Sequence, residues 1–137
     1  MRVTVGVPSA DESRQIFGLP LATKDIQPVW LEIQNNDTTD YFLLAINLDP
    51  DLFSAGEVAW KFYTGYSDDA KQKINALFRE NEMKSYFEPG TTTTGFLYTN
   101  IKLGTKLVLV KLLGQPQAQG IYVFCRGART QGRLRTL

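Results

Sequence analysis

Four large aromatic residues, Trp60, Phe62, Tyr63 and Tyr66, fall within seven positions, and Tyr86 and Phe87 follow after a polar stretch. Rings at that density either stack on a ligand or fill a core. A sugar ring suits them as a ligand, because it pairs an apolar face with hydroxyls that nearby polar groups can bind. Val58, Trp60 and Phe62 alternate with Ala59, Lys61 and Tyr63, the period of a strand. That period assigns Trp60 and Phe62, together with Trp30, to the gap between two packed sheets. Tyr63 and Tyr66 lie off that face. With Trp60 they are the candidate contact residues for a ligand or partner.

The other chemistries are closed or weakly supported. The chain has no histidine, which removes Ser-His-Asp and Cys-His catalysis, His-based zinc sites and histidine pH switching. Its one cysteine, Cys125, sits in the strand-like run Ile121–Cys125 and reads as a buried thiol with no base to activate it. Asn47, Asp49 and Asp51 alternate like the first ligands of a calcium loop. However, Leu52 stands where an EF-hand needs glycine and Val58 where it needs a bidentate glutamate. A looser calcium site or a turn with carboxylates accepting backbone N–H bonds are the remaining readings. Gly90-Thr91-Thr92-Thr93-Thr94-Gly95 has the outer spacing of a phosphate loop, but Phe96 and Leu97 replace the Lys-Ser/Thr pair and a strand follows. The carboxylate pairs Asp49/Asp51, Asp68/Asp69 and Glu80/Glu82 are near neighbours in sequence, which suits solvated faces and a helix cap better than two acids across a cleft. No catalytic residue, metal or cofactor is assigned.

The elements that must position these residues are short. Val3, Val5 and Val7 alternate as a first strand. Ser9 and Glu12 have capping-box spacing and Gly18 suits a helix end, so residues 10–17 read as a helix. Pro20 and Pro28 mark a loop. Strands follow at 29–33, 41–46, 57–63, 92–99, 106–113 and 121–125, with a polar turn over 35–40. Ser67 can cap a second helix, 67–82, whose Ala70, Ile74, Leu77 and Phe78 form one apolar stripe. About seven strands with two helices, and no βαβ rhythm, give a mainly β fold: an antiparallel sandwich.

Composition agrees with one domain. Apolar residues make up 43% and charged residues 21%, and net charge is +1, too small for polyanion binding by the whole body. No run approaches the roughly 20 apolar residues of a membrane-spanning helix. Residues 1–125 are assigned to the domain. Residues 126–137 carry Arg126, Arg129, Arg133 and Arg135 and no acid, and read as a solvated tail with too few charges for tight nucleic-acid binding.

The phrases Phe17-Gly18-Leu19-Pro20-Leu21, Ile26 to Asn35, Leu48 to Phe53, Glu57-Val58-Ala59-Trp60, and Pro89-Gly90 followed by Gly95 to Thr99 resemble a domain of uncharacterised bacterial envelope proteins that accompanies an LssY-type C-terminal domain. The resemblance covers about residues 15–112. It implies an immunoglobulin-like sandwich with an accessory role in the cell envelope and carries no catalytic residues; Met1 as a native start would instead imply the cytoplasm. The expected function is a non-enzymatic interaction module whose partner is a protein or a second copy in a homodimer. The alternative is a glycan-binding module using the aromatic cluster.

Overall fold

The computed structural model describes residues 1–43, 52–101, 105–114, 118–126 and 135–136, the last three segments as backbone apart from Gly114. In chain order the elements are β1 (Arg2–Gly6), α1 (Ala10–Phe17), a 3₁₀ turn (Leu21–Lys24), β2 (Ile26–Gln34), β3 (Tyr41–Leu43), β4 (Leu52–Phe53), α2 (Ala55–Trp60), α3 (Asp68–Asn81), β5 (Tyr86–Phe87), β6 (Thr92–Asn100), β7 (Thr105–Gly114), β8 (Ala118–Arg126) and β9 (Arg135–Thr136). The strands form two antiparallel sheets, one in the order β1-β2-β6-β4 and one in the order β5-β3-β7-β8-β9. The fold is therefore rich in antiparallel sheet but mixed, with helices supplying a layer of their own. Among the described residues no helix is long and apolar enough to cross a membrane.

Alternation along β2 and β6 supplies two cores on opposite faces of the first sheet. Val29, Leu31, Ile33 and Leu97 join Val3 and Val5 of β1 on one face, against Tyr41, Leu43 and Phe87 of the second sheet. Ile26, Phe96 and Tyr98 point the other way and meet Phe17 of α1, Ala55, Val58 and Ala59 of α2, Phe62, and Ile74 and Phe78 of α3. Phe78 is central. It stacks on Phe17 (5.5 Å) and Phe62 (5.9 Å) and meets Tyr98 edge-on (5.5 Å). Tyr98 donates its hydroxyl to the Phe78 carbonyl at 2.8 Å, so its polar end is satisfied where it is buried. Burial, with a smaller effect from Glu82, pushes that hydroxyl's pKa well above the usual range for tyrosine.

Both helices read from the sequence are present. Ser9 and Glu12 form a reciprocal capping box and Gly18 closes α1 with a φ of 68°. Ser67 Oγ accepts the Ala70 N–H at the start of α3. The strand expected over 57–63 is not there: Ala55–Trp60 is a helix. The reason is a second capping box. Ser54 Oγ accepts the Glu57 N–H (3.3 Å) and Glu57 Oε2 accepts the Ser54 N–H (2.7 Å). Ala55, Val58, Ala59 and Phe62 then fall at i, i+3, i+4 and i+7, the buried stripe of a helix. Val58 and Phe62 fit both periods, and only the two alanines break the tie.

Other departures are local. Pro28 lies inside β2, not in a loop, but beyond the stretch that pairs with β1, where one flank of β2 has no strand neighbour and its missing N–H is tolerated. β6 begins two residues after Gly90, so the glycine-threonine run enters a strand and not the helix a phosphate loop requires. At Gly95 the chain leaving α3 crosses the sheet edge, with Met83 N–H donating to the Phe96 carbonyl at 2.9 Å. A Cβ at position 95 would lie 2.5 Å from Met83 Cα, so the crossing needs glycine. Asn35, expected in the polar turn over 35–40, is fully buried. Its amide donates to the carbonyls of Thr39 and Phe87 and its Oδ1 accepts the Asp37 N–H, tying the two sheets together. The Asn47/Asp49/Asp51 alternation, Arg129, Arg133, residues 44–46 of the strand expected at 41–46 and the Cys125 side chain lie outside the described residues.

Candidate functional site

The three candidate contact residues sit on one link, the corner joining α2 to α3. Trp60 is the last residue of α2. Two hydrogen-bonded turns follow, Tyr63 N–H to the Trp60 carbonyl and Tyr66 N–H to the Tyr63 carbonyl, both at 3.2 Å. Gly65 takes a φ of 83° in the second, a conformation that favours glycine, and Ser67 then caps α3. Both ends of the corner are fixed. Phe62 is buried against Phe78, and Glu82 at the end of α3 accepts the Ala55 N–H at 3.0 Å, clamping the start of α2.

Trp60, expected in the core with Phe62, is 73% exposed. Two residues on from Val58 is about 200° round a helix, so the side chain that strand alternation would bury points outward. Tyr66 is 46% exposed, as its place off the core face implied. Tyr63 is half-buried against the helical core, with the Lys71 ammonium 6.0 Å from its ring centroid. Lys61 lies 4.6 Å over the Phe53 ring. The structure thus brings Trp60, Tyr63 and Tyr66 to one corner, flanked by two lysines, without stacking any of the three on another. The one resolved shift nearby is Glu57, whose carboxyl pKa is lowered by hydrogen bonds from the Ser54 backbone N–H and, second, its hydroxyl.

Sequence reasoning missed a second aromatic feature. Trp30, assigned to the core between the sheets, is instead half-buried on the helix side of the first sheet. It pairs across the strands with Gly6 and Phe96. A Cβ at Gly6 would lie 3.6 Å from Trp30 Cε3, so the indole rests over that glycine. Trp30, Gly6 and Phe96 floor a groove of about 490 Å³, walled by Val7, Pro8 and the α1 residues Glu12 and Ile16. The signal was present in the alternation of β2, because Trp30 has the opposite parity to Val29, Leu31 and Ile33.

The remaining candidates do not converge. Asp68 and Asp69 are exposed in the first turn of α3, Glu80 is exposed, and Glu82 is engaged by α2. Among the described residues no three acidic or thiol side chains gather as a metal site would need. Compared with protein-family models, with curated proteins and with solved structures, the chain matches none.

Proposed function

We propose that the protein is a non-enzymatic interaction module that engages a protein partner, a second copy of itself included, through the α2–α3 corner. The observation that carries this reading is Trp60. It is 73% exposed at the end of a helix whose Ala55, Val58 and Ala59 are at most 2% exposed. A large ring held outward on a rigid base is the kind of side chain that dominates binding energies at protein interfaces, and little of its support must be ordered on contact. Tyr66 extends the same surface. The finer fold reading belongs to this proposal too. The aliphatic core shared by the two sheets supports an immunoglobulin-like sandwich, expected with about seven strands and described with nine, with the helices as an added outer layer; an accessory role in a bacterial envelope rests on the sequence resemblance alone.

The second reading is glycan binding by Trp60, Tyr63 and Tyr66. The half-burial of Tyr63 and the lack of ring-to-ring contact favour the protein partner over it. The test is a photo-cross-linking amino acid at position 60, with the exposed helix position Gln15 as the control site, both in purified protein and in the native cells. The reading expects a discrete protein adduct from position 60 and none from position 15. Equal or absent cross-linking at the two positions overturns it.

A further inference from the structure

The sheet face beyond α1 is built in rows. Strand register places Gly6, Trp30 and Phe96 side by side, then Thr4, Glu32 and Thr94, then Arg2, Gln34 and Thr92. Residues two apart share a face, so all three rows look out on the helix side, about 7 Å apart. The helices reach only part of the first row, burying Phe96 and leaving Gly6 and Trp30 half-buried. Thr4 and Thr94 are exposed, and Glu32 is half-buried with one carboxylate oxygen 3.4 Å from the Gln34 amide. The result is an apolar floor at the foot of a helix wall, bordered by a strip of hydroxyl, carboxylate and amide groups. The Trp30 indole N–H and the Thr4 and Thr94 hydroxyls make no hydrogen bond among the described residues.

We propose that this ledge binds a neutral saccharide. One sugar ring presents both surfaces the ledge offers: a carbon face to lie on Trp30 and Ile16, and hydroxyls to reach Glu32, Thr4 and Thr94 one row away. The groove, at about 490 Å³, is in the range of small-molecule sites. Charge selects within the class. Glu12 and Glu32 lie nearest the floor, where they disfavour a uronic or sulfated sugar and offer hydrogen-bond acceptors to a neutral one, while the exposed Arg2 on the same face stands one row further out. Gly6 lies beside the indole, where an added Cβ would come into ordinary contact with Trp30 at 3.6 Å. The site is separate from the α2–α3 corner and does not depend on it.

The test uses the Trp60→Phe variant, in which Trp30 is the sole tryptophan, and titrates cellohexaose, xylohexaose, maltohexaose and, as the anionic control, hexagalacturonate. The proposal expects saturable change in Trp30 emission with at least one neutral oligosaccharide and none with the anionic one. Glu32→Ala, on a polar strip away from both cores, then weakens binding about tenfold or more, the loss of one charge-assisted hydrogen bond. Thr94→Val weakens it less, and Trp60→Ala in an otherwise native chain leaves it unchanged when read by backbone amide shifts. No saturable change with any of the three neutral sugars overturns the proposal. So does binding that survives Glu32→Ala or that Trp60→Ala abolishes, the latter assigning saccharide binding to the corner instead.

Discussion

The two faces of the first sheet bury different chemistry. Toward the second sheet the filling is mostly aliphatic, Val3, Val5, Val29, Leu31, Ile33, Leu43 and Leu97. Toward the helices it is mostly rings, Phe17, Phe62, Phe78, Phe96 and Tyr98, with small Ala55 and Ala59 between them. The difference follows from geometry. Two sheets pack at about 10 Å, and branched side chains from both fill that gap in an even layer. Three helices of unequal length, 8, 6 and 14 residues, meet the other face, and long planar groups bridge the spaces between them. The aliphatic core spreads its loss over many residues, whereas the aromatic core hangs on one. A consequence reaches the surface: the helices that need this core also hold Trp60 outward and leave the Trp30 ledge open.

The comparison is broken most severely at Phe78. Phe78→Ala should cost about 3–5 kcal/mol, at the top of the range for core truncations, because three rings, those of Phe17, Phe62 and Tyr98, lose a common neighbour. Ile33→Val on the opposite face should cost only about 1 kcal/mol. Denaturant unfolding of the two variants measures both, and similar losses would remove the distinction. Asn35→Ala comes next, at about 2–3 kcal/mol, because it leaves the Phe87 and Thr39 carbonyls and the Asp37 N–H without their partner. Gly95→Ala follows at about 1–3 kcal/mol, since the added Cβ meets the Met83 backbone and not a side chain that can turn away.

The smallest stability effect tests the helical layer at its start. Ser54→Ala should cost about 1 kcal/mol through the cap of α2. The linked pH effect has a definite sign. Folding lowers the Glu57 pKa, so its contribution is present above the ordinary carboxylate range and is lost as pH falls through the folded value. Glu57→Gln should therefore lower the unfolding midpoint at neutral pH and converge on the native chain in acid. A difference that persists at low pH would mean that charge plays no part.

Much of this arrangement is legible in the residues. Ser9 with Glu12 and Ser67 with its apolar stripe mark two helices, and alternation marks β2 and β6. Ser54 with Glu57 carries the same capping signal as Ser9 with Glu12, yet Val58, Trp60 and Phe62 also satisfy a strand, and a six-residue helix has too few turns to separate the periods. β4 and β5, two residues each, have no period at all and exist because β6 and β3 offer them an edge. Asn35 has the residue type of a turn, and its burial depends on the Phe87 carbonyl, 52 positions away. For the candidate site, Tyr66 lies where its sequence context places it. Trp60 is at the surface for a reason opposite to its apparent alternation, and the Gly6–Trp30 pairing depends on a register that no local pattern contains.

The most direct test of the account is the environment of Trp60. In a Trp30→Phe variant Trp60 reports alone, and acrylamide quenching measures its access to solvent. A helix ending at Trp60 predicts red-shifted emission that is readily quenched, unchanged in position when Phe78→Ala loosens the core. Blue-shifted, protected emission would put Trp60 inside. It would restore the strand over 57–63 and remove the surface on which the interaction module rests.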